Sequence, residues 1–144
     1  MSQENVEIVL ALQPPPQIDH LQLWGNAELW SQTFAIFASN FQPDFETTGV
    51  LLGTNMTVVG PEGCREMMMQ WYEPWASYRI HSHEAIDLGD QVLLTHDAFG
   101  RLAGSEAEVK LTGASVYTFR DEKIARIAFY LDPAEARKAV GLEG

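Results

Sequence analysis

Near Tyr78 the spacing of apolar residues changes from steps of three and four to alternation, and this switch restricts the fold more than any other feature of the chain. Four alternating runs follow: Arg79 to Leu88, Gln91 to Phe99, Glu108 to Phe119 and Ile124 to Leu131. The links between them are short and turn-like: Gly89-Asp90, the polar stretch from Gly100 to Glu106, and Arg120-Asp121-Glu122. Such runs form an antiparallel meander. In the third run Val109, Leu111, Gly113, Ser115, Tyr117 and Phe119 share one face. Long strands with apolar residues on both faces need cover on both sides. Helices can supply one cover and a second copy of the sheet the other.

The first half of the chain holds those helices. Ser2 can cap a first helix in which Val6, Val9 and Leu10 recur at helical spacing, and Pro14-Pro15-Pro16 ends it. A second helix runs from about Asn26 to Asn40, with Leu29, Trp30, Phe34, Phe37 and Phe41 along one broad face. Gln42-Pro43-Asp44 breaks it, and Phe45 to Leu52 reads as a strand closed by Gly53 and Asn55. A third helix opens at Gly60-Pro61, with Glu62 and Glu66 near its positive end and a stripe of Met68, Trp71, Tyr72 and Trp75. Pro74 pushes Glu73 from helical angles and ends or kinks this helix. Asp132-Pro133-Ala134-Glu135 starts a short final helix that Gly141 closes. The class is therefore α+β, with helices on one face of a curved antiparallel sheet.

The 144 residues suit one domain, and 46% apolar content suffices for a core. A net charge of −11 argues against nucleic acid and against an anionic membrane surface. No run approaches the roughly 20 apolar residues of a membrane span. Residues 1–12 carry Glu4 and Glu7 and no basic residue, unlike a secretory signal. A single cysteine, Cys64, leaves no internal disulfide, and the cytoplasm is the expected compartment.

Several segments together carry a family resemblance. They are Met1 to Val9; Gly60-Pro61-Glu62-Gly63-Cys64-Arg65-Glu66; Ile86-Asp87-Leu88-Gly89-Asp90-Gln91-Val92; Val116 to Ile127; and Tyr130 to Ala136. In these the chain resembles SnoaL-like proteins of the nuclear transport factor 2-like superfamily, over its whole length except the proline-rich segment 13–25. The resemblance implies a cone-shaped curved antiparallel sheet wrapped around three N-terminal helices, with a short C-terminal helix and an apolar pocket. It also implies a homodimer through the outer sheet face. Characterised members of the superfamily act on hydrophobic small molecules by acid–base chemistry without a metal or organic cofactor, and neither is expected here.

The residues sort among the chemistries that the resemblance implies. A ketosteroid isomerase would place its base near Thr47, with Glu46 beside it, and its donors near Leu12 and Ser115; none matches. A limonene epoxide hydrolase would place an arginine and two carboxylates at about His96, Ala98 and Phe129, and both carboxylates are missing. A cyclase needs a base and a carbonyl donor, for which His96 and Tyr117 stand in place by position. Glu46 is a further acid–base candidate. His81 and His83 share a strand face and add polar groups, but no third ligand accompanies them for a metal. Trp30, Phe34, Met68, Trp71, Tyr72, Trp75 and Phe129 are candidate ligand-binding walls and equally candidate core. Asp19-His20 reads either as a turn or cap, or as an acid–base pair at a pocket mouth. Two functions stand side by side: a cofactor-independent cyclase or isomerase acting on a hydrophobic carbonyl compound, and a non-catalytic binding or dimerisation module.

Overall fold

A computed structural model describes residues 2–51 and 54–142 of the chain. Helix α1 spans Ser2–Leu12 and stops before the three prolines, as the missing N–H groups require. A short helix not expected from the sequence, α2 (His20–Gly25), follows them. Asp19 caps it, accepting from the Leu21 N–H at 3.0 Å, so the cap reading of Asp19 holds. Asn26 then caps α3 (Ala27–Asn40) through the N–H groups of Glu28 and Leu29.

Strand β1 (Phe41–Leu51) begins earlier than expected and includes Pro43. Its pairing slips between Phe41 and Glu46, and Pro43, with no N–H to give, sits in that slip. Strand β2 (Thr54–Val59), also unexpected, pairs antiparallel with β1. Gly53, expected to end the strand, and the side chain of Ser2, expected to cap the first helix, lie outside the described residues. Gly60 turns the chain at φ +76°, a region that favours glycine, into α4 (Gly60–Tyr72).

Helix α4 ends at Tyr72, because Pro74 cannot continue its ladder. Contrary to expectation, Glu73 keeps helical angles (φ −51°, ψ −46°): the residue before a proline is disfavoured there but not barred. Trp75 accordingly leaves the helical stripe and opens β3 (Trp75–Asp87).

The remaining strands are β4 (Gln91–Leu102), β5 (Glu108–Arg120) and β6 (Lys123–Tyr130), and α5 (Pro133–Ala139) closes the order. The expected meander is present. The sheet runs β2-β1-β6-β5-β4-β3, antiparallel except where β1 meets β6. The α+β class and the curved sheet hold, with α2 and β2 as additions.

Alternation gives the sheet two unlike faces. Val92, Leu94 and Ala98 of β4 point inward, toward a core where Phe37, Phe41 and Phe45 lie ring to ring. Leu93, Ala114, Val116 and Ala128 point outward beneath Ala136 of α5. Helices therefore cover part of both faces. Each fully buried aliphatic or aromatic side chain contributes roughly 1.5–3 kcal/mol.

Candidate functional site

Between α4 and the inner sheet face lies a cavity of about 240 Å³. Met67, Met68, Trp71 and Tyr72 line it from α4, Tyr78 and Ile80 from β3, His96 and Ala98 from β4, Leu111 and Gly113 from β5, and Phe129 from β6. The α4 residues reach it because positions 67, 68, 71 and 72 fall on one helical face. The strand residues reach it by parity, since His96 and Ala98 share the inner face with Val92 and Leu94.

Among the expected site residues, His96, Met68, Trp71, Tyr72 and Phe129 meet at this cavity. The structure places the others elsewhere. Tyr117 is buried beneath α1, where its hydroxyl accepts from Gln13 Nε2 at 3.1 Å. Glu46 is exposed on the outer face, and its neighbour Thr47 is buried. Trp30 packs among Trp24, Phe34 and Phe37, with the Arg65 guanidinium 5.0 Å from its ring centre. Phe34 is largely exposed beside it. Trp75 meets Tyr78 edge-on at 5.2 Å and covers Gly100.

His81 and His83 lie on the outer face, their rings 5.0 Å apart. His83 Nε2 is 2.6 Å from Asp97 Oδ2, which Lys110 Nζ approaches to 3.6 Å. Among the described residues no group of three or more His, Cys, Asp or Glu side chains is arranged to hold a metal ion.

Sequence reasoning missed Tyr78 and Gly113 as cavity residues. Beginning the alternating run one residue earlier would have put Tyr78 on the face of Ile80. A glycine inside a strand signals close approach, and Gly113 was such a signal. His20, paired with Asp19 in the sequence, opens α2 and packs against Tyr72 but does not line the cavity.

His20 is 6% exposed. Its Nδ1 lies 3.3 Å from the Tyr72 hydroxyl, and its Nε2 has no partner. Burial pushes its pKa from the ordinary 6.5 down to about 4; Asp19 opposes that shift and His96 adds to it. His96 is lowered as well, chiefly by burial, against an opposing pull from Asp97. Burial raises the phenols of Tyr72 and Tyr78, and it raises the Cys64 thiol to about 11. At neutral pH the cavity thus presents one neutral imidazole, His96, and the protonated phenols of Tyr72 and Tyr78: a proton acceptor and hydrogen-bond donors without fixed charge.

This curved sheet, folded around helices with a cavity between them, is the nuclear transport factor 2-like fold. The chain belongs to the SnoaL-like family, whose domain matches residues 26–127. No curated protein is similar enough in sequence to match it. Several solved structures share its fold. TerC, co-crystallised with polyporic acid, is 19% identical, covers 94% of this chain and 97% of its own, and has a TM-score of 0.65. A candidate SnoaL-like polyketide cyclase from Jannaschia sp. CCS1 is 16% identical over 99% of this chain and 95% of its own, at a TM-score of 0.62. A protein from Catenulispora acidiphila DSM 44928 with a ketosteroid isomerase-like fold, in complex with trimethylamine, is 18% identical over 94% and 93%, at 0.61. These identities establish likeness of fold alone.

Proposed function

We propose that the cavity takes a hydrophobic, carbonyl-bearing small molecule and that His96 accepts a proton from it, in cofactor-independent acid–base chemistry of the cyclase or isomerase type. The observation that carries this reading is a half-buried, neutral imidazole among apolar and aromatic walls. A base weakened by burial suits a carbon acid that is already acidic, such as the carbon between two carbonyls. Tyr78, whose phenol stays protonated, is the donor that would hold the developing enolate oxygen. It replaces Tyr117, which does not line the cavity. At about 240 Å³ the space is smaller than the roughly 300–1,000 Å³ of drug-sized pockets, which favours a guest of one or two rings. The kinship with a fold that holds polyporic acid in TerC supports a small organic guest.

The test uses a 1,3-diketone, 2-acetyl-1-tetralone, in deuterated buffer. The protein is expected to speed exchange of the proton between the two carbonyls, and His96→Leu to remove most of that acceleration, by a factor of roughly 100. Binding without exchange would leave the second reading, a non-catalytic binding module. One observation favours that module: among the described residues no carboxylate lines the cavity beside His96. In either reading the expected partner at the outer face is a second copy of the chain, seated on the part of β3 to β5 that α5 leaves open. Sedimentation velocity tests it; a monomer at micromolar concentration would remove it.

A further inference from the structure

Helix α2 brings His20 into the interior, where Nδ1 meets the Tyr72 hydroxyl at 3.3 Å and the buried Nε2 has no partner. Among the described residues the one acceptor within hydrogen-bond reach of that hydroxyl is Nδ1. The Trp24 side chain also favours the ionised form of this phenol, and an indole N–H only donates. Tyr72 belongs to the cavity wall and His20 does not.

A neutral His20 and a protonated Tyr72 carry two polar hydrogens and share a single contact, so one hydrogen is always left over. With the imidazole hydrogen on Nε2, Tyr72 donates to Nδ1, and the leftover is a buried N–H without an acceptor. Native interiors rarely keep such a group. With the imidazole hydrogen on Nδ1, His20 donates to the phenol oxygen, and the leftover is the phenol hydrogen. Only this second leftover sits on a residue of the cavity wall, where an oxygen of the guest can take it up. The ring centre of Tyr78, the donor assigned above, is 5.2 Å from that of Tyr72. Two phenols side by side suit the two neighbouring oxygens of a 1,3-dicarbonyl compound.

We propose that Tyr72 is a second hydrogen-bond donor to the guest, set in that role by His20, so that a dicarbonyl guest is held by one phenol on each oxygen. Tyr72 touches the guest, and His20 is a positioning residue that acts through it. The inference rests on the reading of the cavity as a guest site, and it narrows the guest from carbonyl compounds in general to those with two neighbouring oxygens.

The probes are 2-acetyl-1-tetralone and 2-ethyltetralin, which share a carbon skeleton and differ in the two carbonyl oxygens. Calorimetry or ligand-observed NMR gives the affinity of each. The quantity read is their ratio, in which a general loosening of the wall cancels. Tyr72→Phe removes only the hydroxyl and is expected to lower the ratio of diketone to hydrocarbon affinity by about tenfold. Tyr72→Phe combined with His20→Leu leaves neither partner unpaired, and this double variant decides the point should Tyr72→Phe alone not fold. His20→Leu by itself is expected to lower the ratio about fivefold. His20→Asn still offers an N–H near the place of Nδ1 and is expected to hold the ratio within about twofold of the unaltered protein's. A ratio that Tyr72→Phe, or the double variant in its place, leaves within about twofold overturns Tyr72 as a donor and leaves the cavity's role intact. A ratio unmoved by His20→Leu, or lowered equally by His20→Leu and His20→Asn, overturns the positioning role of His20. Failure of the unaltered protein to bind either probe overturns the guest-site reading and this inference with it.

Discussion

Residues 95–97 of β4 carry two chemistries on one strand. His96 faces the cavity, where burial lowers its pKa and keeps it uncharged. Asp97, the next residue, faces outward to His83 and Lys110, and the hydrogen bond from His83 is the largest influence holding its carboxyl below the ordinary range. The histidines divide the same way: His20 and His96 lie within the desolvated half, and His81 and His83 are exposed outside it. Residue type does not set the difference. Strand parity and burial do, because a step of one residue exchanges an apolar wall for solvent.

The largest expected effect that tests this contrast is acid instability from the inner half. In the folded chain His20 titrates at about 4, whereas unfolding returns it toward 6.5. Between those values the unfolded chain binds more protons, so stability is full above about pH 6.5 and falls as the pH drops toward 4. The loss attributable to His20 is on the order of 3 kcal/mol. His96, lowered in the same direction, adds to it. Urea unfolding of the wild type and of His20→Phe between pH 7.5 and 4.5 isolates the effect, since the background from the acidic surface cancels in the difference. Parallel curves for the two proteins would show that His20 is not held neutral by burial.

How far this division was legible in the sequence varies by element. The four alternating runs marked β3 to β6 closely, because period-two patterning is a direct imprint of two faces. The caps at Asn26 and Asp132 were readable for a similar reason, since a short polar side chain satisfies the N–H groups behind it. Helix α2 and strand β2 were not, being six residues each and too brief for a period. At the site, His96 was placed by position alone. Tyr117 misled because its face was correctly read while its depth was not: sharing a face with Gly113 puts it on the same side of the sheet but four residues along, under α1 and bonded to Gln13. Parity is local and can be read from a strand, whereas the position of a cavity along that strand depends on where helices from the other half of the chain settle.

A mid-sized effect sharpens the inner half further. Gly100 is the position over which Trp75 lies, and a Cβ there would stand 2.5 Å from Trp75 Cζ3 and 2.6 Å from Cε3. Gly100→Ala is expected to destabilise by about 1–3 kcal/mol, as overpacking does when a ring has little room to yield. Thermal unfolding followed by tryptophan fluorescence reads both the loss and the displacement of the indole. An unaltered melting temperature would show that Trp75 leans away from the strand and that this end of the inner face is loosely packed.

The smallest effect belongs to the outer face, and its smallness is the point. In the single chain the side chains of His83 and Lys110 are 44% and 61% exposed, so at concentrations where the protein is monomeric their contacts with Asp97 are screened by water and salt. His83→Ala and Lys110→Ala are each expected to shift the melting temperature by no more than about 2 °C at neutral pH. Neither is expected to alter the affinity for 2-acetyl-1-tetralone, because the sheet separates them from the cavity. His81→Ala belongs with them, its ring lying beside that of His83. A several-fold loss of 2-acetyl-1-tetralone affinity in any of the three would mean that the guest reaches around the edge strand β3, and the two faces would then serve one site.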